Sequence, residues 1–277
     1  MFRKFFEGWY FKHQNKNSTV SVIPGICHDK AFIQIVTDEG PYNIDFDKKD
    51  FKKDKNIKIG NNTFSFNGIN IDVKKADLKV KGKINYYNFT PIKYDIMVPF
   101  KFFPMQCRHG IISMHHKLSG YLDINDKHFD FTDGTGYIEK DSGCSFPKLY
   151  AWIHSNDFDE KCSITVAVAD IPFLGFHFEG LICVVHYKGE EYRIATYNGG
   201  KVLECNKNKI VITNKNFRLE VDIQNHNPHA LFSPVYGQMK GIIKESLSCK
   251  AKFRFFENKN LIFDMKSTRA SCEFFGY

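Results

Sequence analysis

The stretch Gly134 to Asp157, GTGYIEKDSGCSFPKLYAWIHSND, lies at the midpoint of the 277-residue chain. It carries two acidic residues two apart, Glu139 and Asp141, then a Ser-Phe-Pro corner, then Trp152, the second of two tryptophans. The residues on either side alternate apolar and polar side chains, the period-two pattern of half-buried strands. The stretch is therefore read as the place where one half of a β protein hands over to the other.

Working outward, the first half opens with an aromatic strand at residues 5 to 12, FFEGWYFK, around Gly8. Val20 and Val22 lead to Pro24-Gly25, a turn signal. Residues 31 to 36 read as a strand with Tyr42 to Phe46 as hairpin partner, and the doubly charged run 47 to 58 reads as a solvated loop. Asn67-Gly68 marks a hairpin after Phe64 and Phe66. Leu78, Val80 and Ile84 alternate with lysines, and residues 111 to 122 and 128 to 131 continue the pattern. The second half repeats the order. Trp152-Ile153-His154 resembles Trp9-Tyr10-Phe11, and residues 163 to 172 resemble 18 to 24. Residues 181 to 186 resemble 32 to 37, Tyr192 resembles Tyr42, and 210 to 221 resemble 57 to 66. Phe263, Asp264 and Glu273 keep the spacing of Phe129, Asp130 and Glu139. Anchors in one order point to an internal duplication. The expectation is an all-β chain of two lipocalin-like barrel or half-barrel domains, residues 1–145 and 146–277, since closure removes exposed strand edges. The best helical stretch is short, at residues 234 to 244.

Composition agrees with strands: 43% hydrophobic, with 28 Phe and 13 Tyr. The net charge of +8 comes from dispersed lysines, not a stripe, so no nucleic-acid partner is expected. The N-terminal residues lack the unbroken apolar core of an export signal, and the best apolar run, 164 to 178, is broken by Asp170 and Pro172. No integral membrane segment is expected, the eight cysteines are read as reduced thiols, and the expected compartment is the cytoplasm. Gly134-Thr-Gly136 lacks the third glycine of a dinucleotide fingerprint, and no GxSxG or Walker pattern occurs.

Several of these stretches together resemble the tocopherol cyclase family. They are FEGWYFK at 6 to 12, HGIISMHHKLSG at 109 to 120, GYIEKD at 136 to 141, the G-x-SFP at 143 to 147, Trp152 with Asn156, and SPVYGQMKGIIKES at 233 to 246. The resemblance implies two lipocalin-like domains, similar to carotenoid hydratases and some fungal cyclising proteins. It implies ring closure on a prenylated quinol or similar apolar substrate. One position departs from the family pattern: the Trp between the Asp and Gly of EKD-W-G is Ser142 here.

The candidate chemistry rests on Glu139 and Asp141. At i and i+2 they share a strand face, and in a dry interior one carboxyl would stay neutral near pH 7, as alkene protonation requires. The resulting cation could rest on Trp152 or Tyr137. The competing reading has these carboxylates pairing with cations or backbone at the seam between halves. Glu7 is either a second acid or a buried partner of a lysine or arginine. Trp9 either lines the cavity or packs a barrel floor. His116 and Asn156 are candidates for orienting a substrate. Adjacent His115 and His116 point to opposite faces, so no metal site is expected, and an isomerisation needs no cofactor. Glu245 reads as a partner across the seam. The expected partner is an apolar, prenyl or lipid-like molecule, for which transient membrane contact is compatible. The alternative function is a carrier of such a ligand without turnover.

Overall fold

A computed structural model describes residues 5–103, 105–173 and 175–277. Among them there is no α-helix; 22 strands and three short 3-10 turns account for the regular structure. The first sheet runs, in spatial order, through Gly40–Asp47, Lys30–Thr37, Thr19–Ile26, Phe6–Gln14, Thr135–Gly143, Cys107–Ile124, Leu78–Tyr87, Gly68–Lys75, Asn62–Ser65, Ile57–Ile59 and Phe51–Lys53, with Lys127–Asp130 added beside Cys107–Ile124. The second runs through Glu190–Arg193, Phe176–Tyr187, Cys162–Phe173, Tyr150–Ser155, Asn260–Phe275, Gln238–Glu257, Phe217–Gln224, Lys209–Thr213 and Lys201–Asn206, with His229–Val235 beside Gln238–Glu257. Among the described residues every strand pairing is antiparallel, and neither sheet closes on itself, so each is a lipocalin-like half-barrel.

The two sheets share one topology. In each, the first four strands form a meander, and the last long strand returns to pair with the first: Phe6–Gln14 with Thr135–Gly143, and Tyr150–Ser155 with Asn260–Phe275. This is the duplication read from the anchors, with two shifts. Trp152 lies cross-strand from Glu273, whereas it is Tyr10, not Trp9, that lies cross-strand from Glu139. Counting from the returning strand, Lys209–Thr213 and Phe217–Gln224 correspond to Gly68–Lys75 and Leu78–Tyr87, not to residues 57 to 66.

Alternation decides what each strand buries. On Phe6–Gln14, Trp9 and Phe11 enter the core inside the first half-barrel with Val22, Ile33, Phe64 and Ile138. Ile153, Val166, Val185, Val221 and Phe253 fill the second. The opposite faces of the same central strands pack sheet against sheet, where Tyr10, Ile111, Tyr137, Tyr150 and Trp152 form a third apolar cluster. The polar groups of the site project into this seam.

Three local expectations are corrected. Pro24-Gly25 makes no turn: both lie within Thr19–Ile26, where a Cβ on Gly25 would sit 2.3 Å from the Phe32 ring. The charged run contains short strands, Phe51–Lys53 and Ile57–Ile59, because Ile57 and Ile59 are buried. Residues 234 to 244 form a hairpin, the end of His229–Val235, a two-residue turn and the start of Gln238–Glu257, rather than a helix. Among the described residues no helix is long and apolar enough to cross a membrane.

Candidate functional site

A cavity of about 190 Å³ lies between the two half-barrels, at the seam. Its polar wall comes from the central strands of both sheets and carries His109, Glu139, Asp141, Tyr150, Trp152 and Glu273. Facing it are apolar side chains, among them Ile23, Phe32, Phe146, Leu231 and Ile182. At the rim, Phe100 from the connection before Cys107–Ile124 stacks on Phe178 at 5.6 Å.

Glu139 and Asp141 project from one face of Thr135–Gly143, as alternation requires, but that face is the seam rather than a barrel interior. Lys140 between them turns inward, to Glu7 and the Trp9 ring. Three groups converge on one oxygen of Glu139. The Tyr137 hydroxyl donates to Oε2 at 2.6 Å, the Trp152 indole N–H donates to it at 3.1 Å, and His109 Nε2 stands 3.6 Å away. Oε1 makes no hydrogen bond to protein among the described residues. Burial raises the Glu139 carboxyl to about 7, although the neighbouring His109 charge works the other way.

His109 arrives from the adjacent strand, opposite Asp141 in register, and its Nδ1 lies 3.0 Å from Asp141 Oδ1. Burial opposes its charge, but Glu139 and Asp141 outweigh burial and raise it to about 9. Near neutrality it is therefore an imidazolium bridging two carboxyls, one neutralised by pairing and one free to exchange a proton. Ligand atoms of these three residues lie within 4.8 Å of one another, a donor set suited to a divalent cation. His109 Nδ1 is engaged by Asp141, whereas its buried Nε2 makes no hydrogen bond among the described residues.

A second acidic pair comes from the other sheet. Glu245 and Glu273 are cross-strand neighbours. The Tyr10 hydroxyl reaches across from the first sheet to Glu245, which burial raises to about 7. Glu245 thus spans the seam through a phenol rather than a salt bridge. Lys12, also in the seam, donates to the Arg269 carbonyl at 2.9 Å, and burial lowers it to about 8. His154 stacks on Tyr137 at 3.7 Å, and burial holds it neutral.

The other candidate residues separate cleanly. Trp9 and Trp152 both reach the cavity wall, but the Trp9 ring stacks on Phe51 at 6.4 Å and lies under Lys53 and Lys140, each 5.2 Å away. Tyr137 is fully buried behind Glu139. Glu7 does not line the cavity; it faces the first half-barrel and pairs with Lys53 at 2.7 Å and Lys140 at 2.5 Å. His116 is inside that half-barrel too, between Tyr86 and Phe89 at 4.6 and 4.8 Å, so it is placed to pack rather than to orient a substrate. Asn156 is a clamp between halves: it accepts from Gln14 at 2.8 Å and donates to the Gly136 carbonyl at 3.0 Å. Ser142, where the family pattern has Trp, pairs with Glu7 in register and does not line the cavity. Sequence reasoning passed over His109, Tyr10, Tyr150 and Glu273 as site residues. Glu273 had a signal in the repeat, and Tyr10 had one in the strand phase.

Comparison with solved structures finds the same fold at very low identity. A putative AttH from Nitrosomonas europaea matches with a TM-score of 0.54 and 9% identity over 98% of this chain and 92% of that one. Kievitone hydratase from Nectria haematococca matches with a TM-score of 0.54 and 8% identity over 99% and 89%. CghA, solved with Sch210972, matches with a TM-score of 0.64 and 7% identity over 98% and 88%. Residues 98–276, which carry His109, both central carboxyls and Glu273, match the family described as tocopherol cyclase-like. The chain belongs to the tocopherol cyclase-like family.

Proposed function

We propose that this protein is a cofactor-independent cyclase or isomerase that closes a ring on a prenylated quinol or similar apolar substrate by protonating an alkene. The observation that carries the reading is a buried carboxyl, Glu139, at the wall of an apolar cavity, with its proton held near neutrality. Membership of a family described as tocopherol cyclase-like supports this class of chemistry, as does a hydratase among the structural neighbours.

The roles follow from the contacts. Glu139 gives its Oε1 proton to an alkene carbon; a C–H bond forms and the adjacent carbon becomes a cation. Tyr137, Trp152 and the His109 imidazolium stabilise the carboxylate left behind, since all three face its other oxygen. Asp141 keeps His109 charged and oriented. The Trp152 face meets the developing cation. A substrate hydroxyl closes on that cation, a C–O bond forms, and its proton returns to Glu139. Atoms and electrons balance with no oxidant or cofactor, because product and substrate are isomers. The apolar wall excludes water that would otherwise capture the cation.

The test is incubation of the protein with a prenylated benzoquinol under reducing conditions, followed by chromatography and mass spectrometry. The expected product has unchanged mass and shifted retention. E139Q is expected to lose turnover by about 100-fold or more while still binding the quinol. Binding without conversion by the wild type would sink the cyclase reading and leave the carrier.

A further inference from the structure

We propose that Glu273 is a second acid of the cavity, which anchors the ligand by donating a hydrogen bond to a neutral ligand oxygen such as a hydroxyl. The ligand class that follows is an apolar chain bearing a hydroxyl, carbonyl or ether, with its oxygen end at the second half-barrel. This rests on reading the cavity as the ligand site, not on turnover.

The geometry repeats that of Glu139. Each acid lies on the last strand of its half-barrel, each lies cross-strand from an aromatic residue of the first strand, and each lines the same cavity. Each has one oxygen held by a tyrosine: Tyr137 donates to Glu139 at 2.6 Å, and Tyr150 donates to Glu273 Oε2 at 2.8 Å. Glu273 Oε1 makes no hydrogen bond to protein among the described residues. Trp152 connects the two, cross-strand from Glu273 and bonded to Glu139. The surroundings differ in one respect. Glu139 faces the His109 imidazolium, whereas no cation pairs with Glu273 among the described residues and its strand neighbour is another carboxyl, Glu245. Burial first, and Glu245 second, hold the Glu273 carboxyl well above the usual range. Both influences favour its protonated form. With Oε2 engaged by Tyr150, that proton sits on the oxygen facing the ligand. A neutral acid in this position donates to an oxygen and repels an anion, so the site selects neutral oxygenated ligands over carboxylates.

The experiment measures dissociation constants of farnesol and of its hydrocarbon counterpart, α-farnesene, by intrinsic fluorescence. Wild type is expected to prefer the alcohol by about tenfold, the worth of one net hydrogen bond. E273M, similar in length but without a donor, is expected to lose that preference by weakening only the alcohol. E273Q, whose amide can donate to the ligand while its carbonyl accepts from Tyr150, is expected to retain it within about threefold. Should E273M fail to fold, E273D, which withdraws the acid by one methylene, is expected to lose most of the preference. E139Q is expected to keep it. Preference undiminished in a folded E273M, or absent in wild type, overturns the proposal. Loss in E139Q but not in E273M assigns the anchor to Glu139 and also overturns it. A Glu273-dependent preference in a protein that converts no quinol leaves the anchor standing and removes the cyclase reading alone.

Discussion

Glu139 can act as a donor only while it holds its proton, and its raised value of about 7 sets the window. The rate of ring closure is expected to be level in mild acid and to fall as pH rises through about 7. His109 pulls that value down, so H109Q is expected to move the falling limb to higher pH. A pH–rate profile of both proteins checks the shift and its sign. Glu7 makes the opposite case. It pairs with Lys53 and Lys140, whose side chains are 42% and 31% exposed, on the face away from the cavity. E7Q is expected to destabilise by about 1–2 kcal/mol in urea denaturation while leaving ligand affinity unchanged. At this scale the sequence revealed the two central carboxyls, because acids two apart on a strand must share a face. It did not reveal His109 as their partner, because that pairing depends on the register of a strand some 30 residues away. Glu7 and Glu139 could not be told apart by composition; only the phase of their strands separates an ion pair from an acid.

Strand phase is an element-scale property, and it was legible wherever alternation was unbroken. Leu78–Tyr87 buries its apolar residues and exposes its lysines as the pattern dictates. Cys107–Ile124 breaks the rule. Two bulges, between Ile111 and Ser113 and between Ser113 and His116, insert extra residues against its neighbour. Ile112 packs toward the first core, Met114 faces the seam, and His116 returns to the interior, although spacing alone would give them one face. A bulge leaves little trace in the residues that form it, so the role assigned to His116 was the one most exposed to this error. A further expectation follows from its packing. A Cβ on Gly136 would lie 2.2 Å from His116 Nε2. G136A is expected to destabilise by about 1–3 kcal/mol, because the ring is wedged between Tyr86 and Phe89 and cannot move aside cheaply. Chemical denaturation measures the loss, and ligand binding at saturating protein should survive it.

For the whole molecule, the duplication was legible because it repeats anchors in order, and the fold class followed from it. The location of the cavity was not. A half-barrel sequence looks the same whether its second face meets solvent or another half-barrel, and only Tyr10, Tyr137, Trp152 and their neighbours meeting across the seam decide it. That contact also ties the halves together through the bonds from Tyr10 to Glu245, Gln14 to Asn156 and Gln34 to the Phe232 carbonyl. The two tryptophans report on different places, Trp9 in the first core and Trp152 at the seam. Urea unfolding followed through W9F and through W152F is expected to give coincident midpoints after correction for each variant's own stability by circular dichroism, since the seam couples both sheets. Separated transitions would show that the half-barrels unfold independently.

The central strands divide their labour residue by residue. On Thr135–Gly143, Ile138 and Lys140 serve the first half-barrel, while Glu139 and Asp141 line the cavity and Tyr137 packs in the seam behind them. The same division holds on Tyr150–Ser155, where Ala151 and Ile153 are core and Tyr150 and Trp152 are site. A lineage can therefore rewrite alternate letters of these strands and alter what the cavity accepts while each barrel keeps its own filling. Selection on ligand and selection on folding act on interleaved alphabets. Two copies of the unit double the number of letters that can drift, so relatives sharing fewer than one residue in ten can still share the architecture.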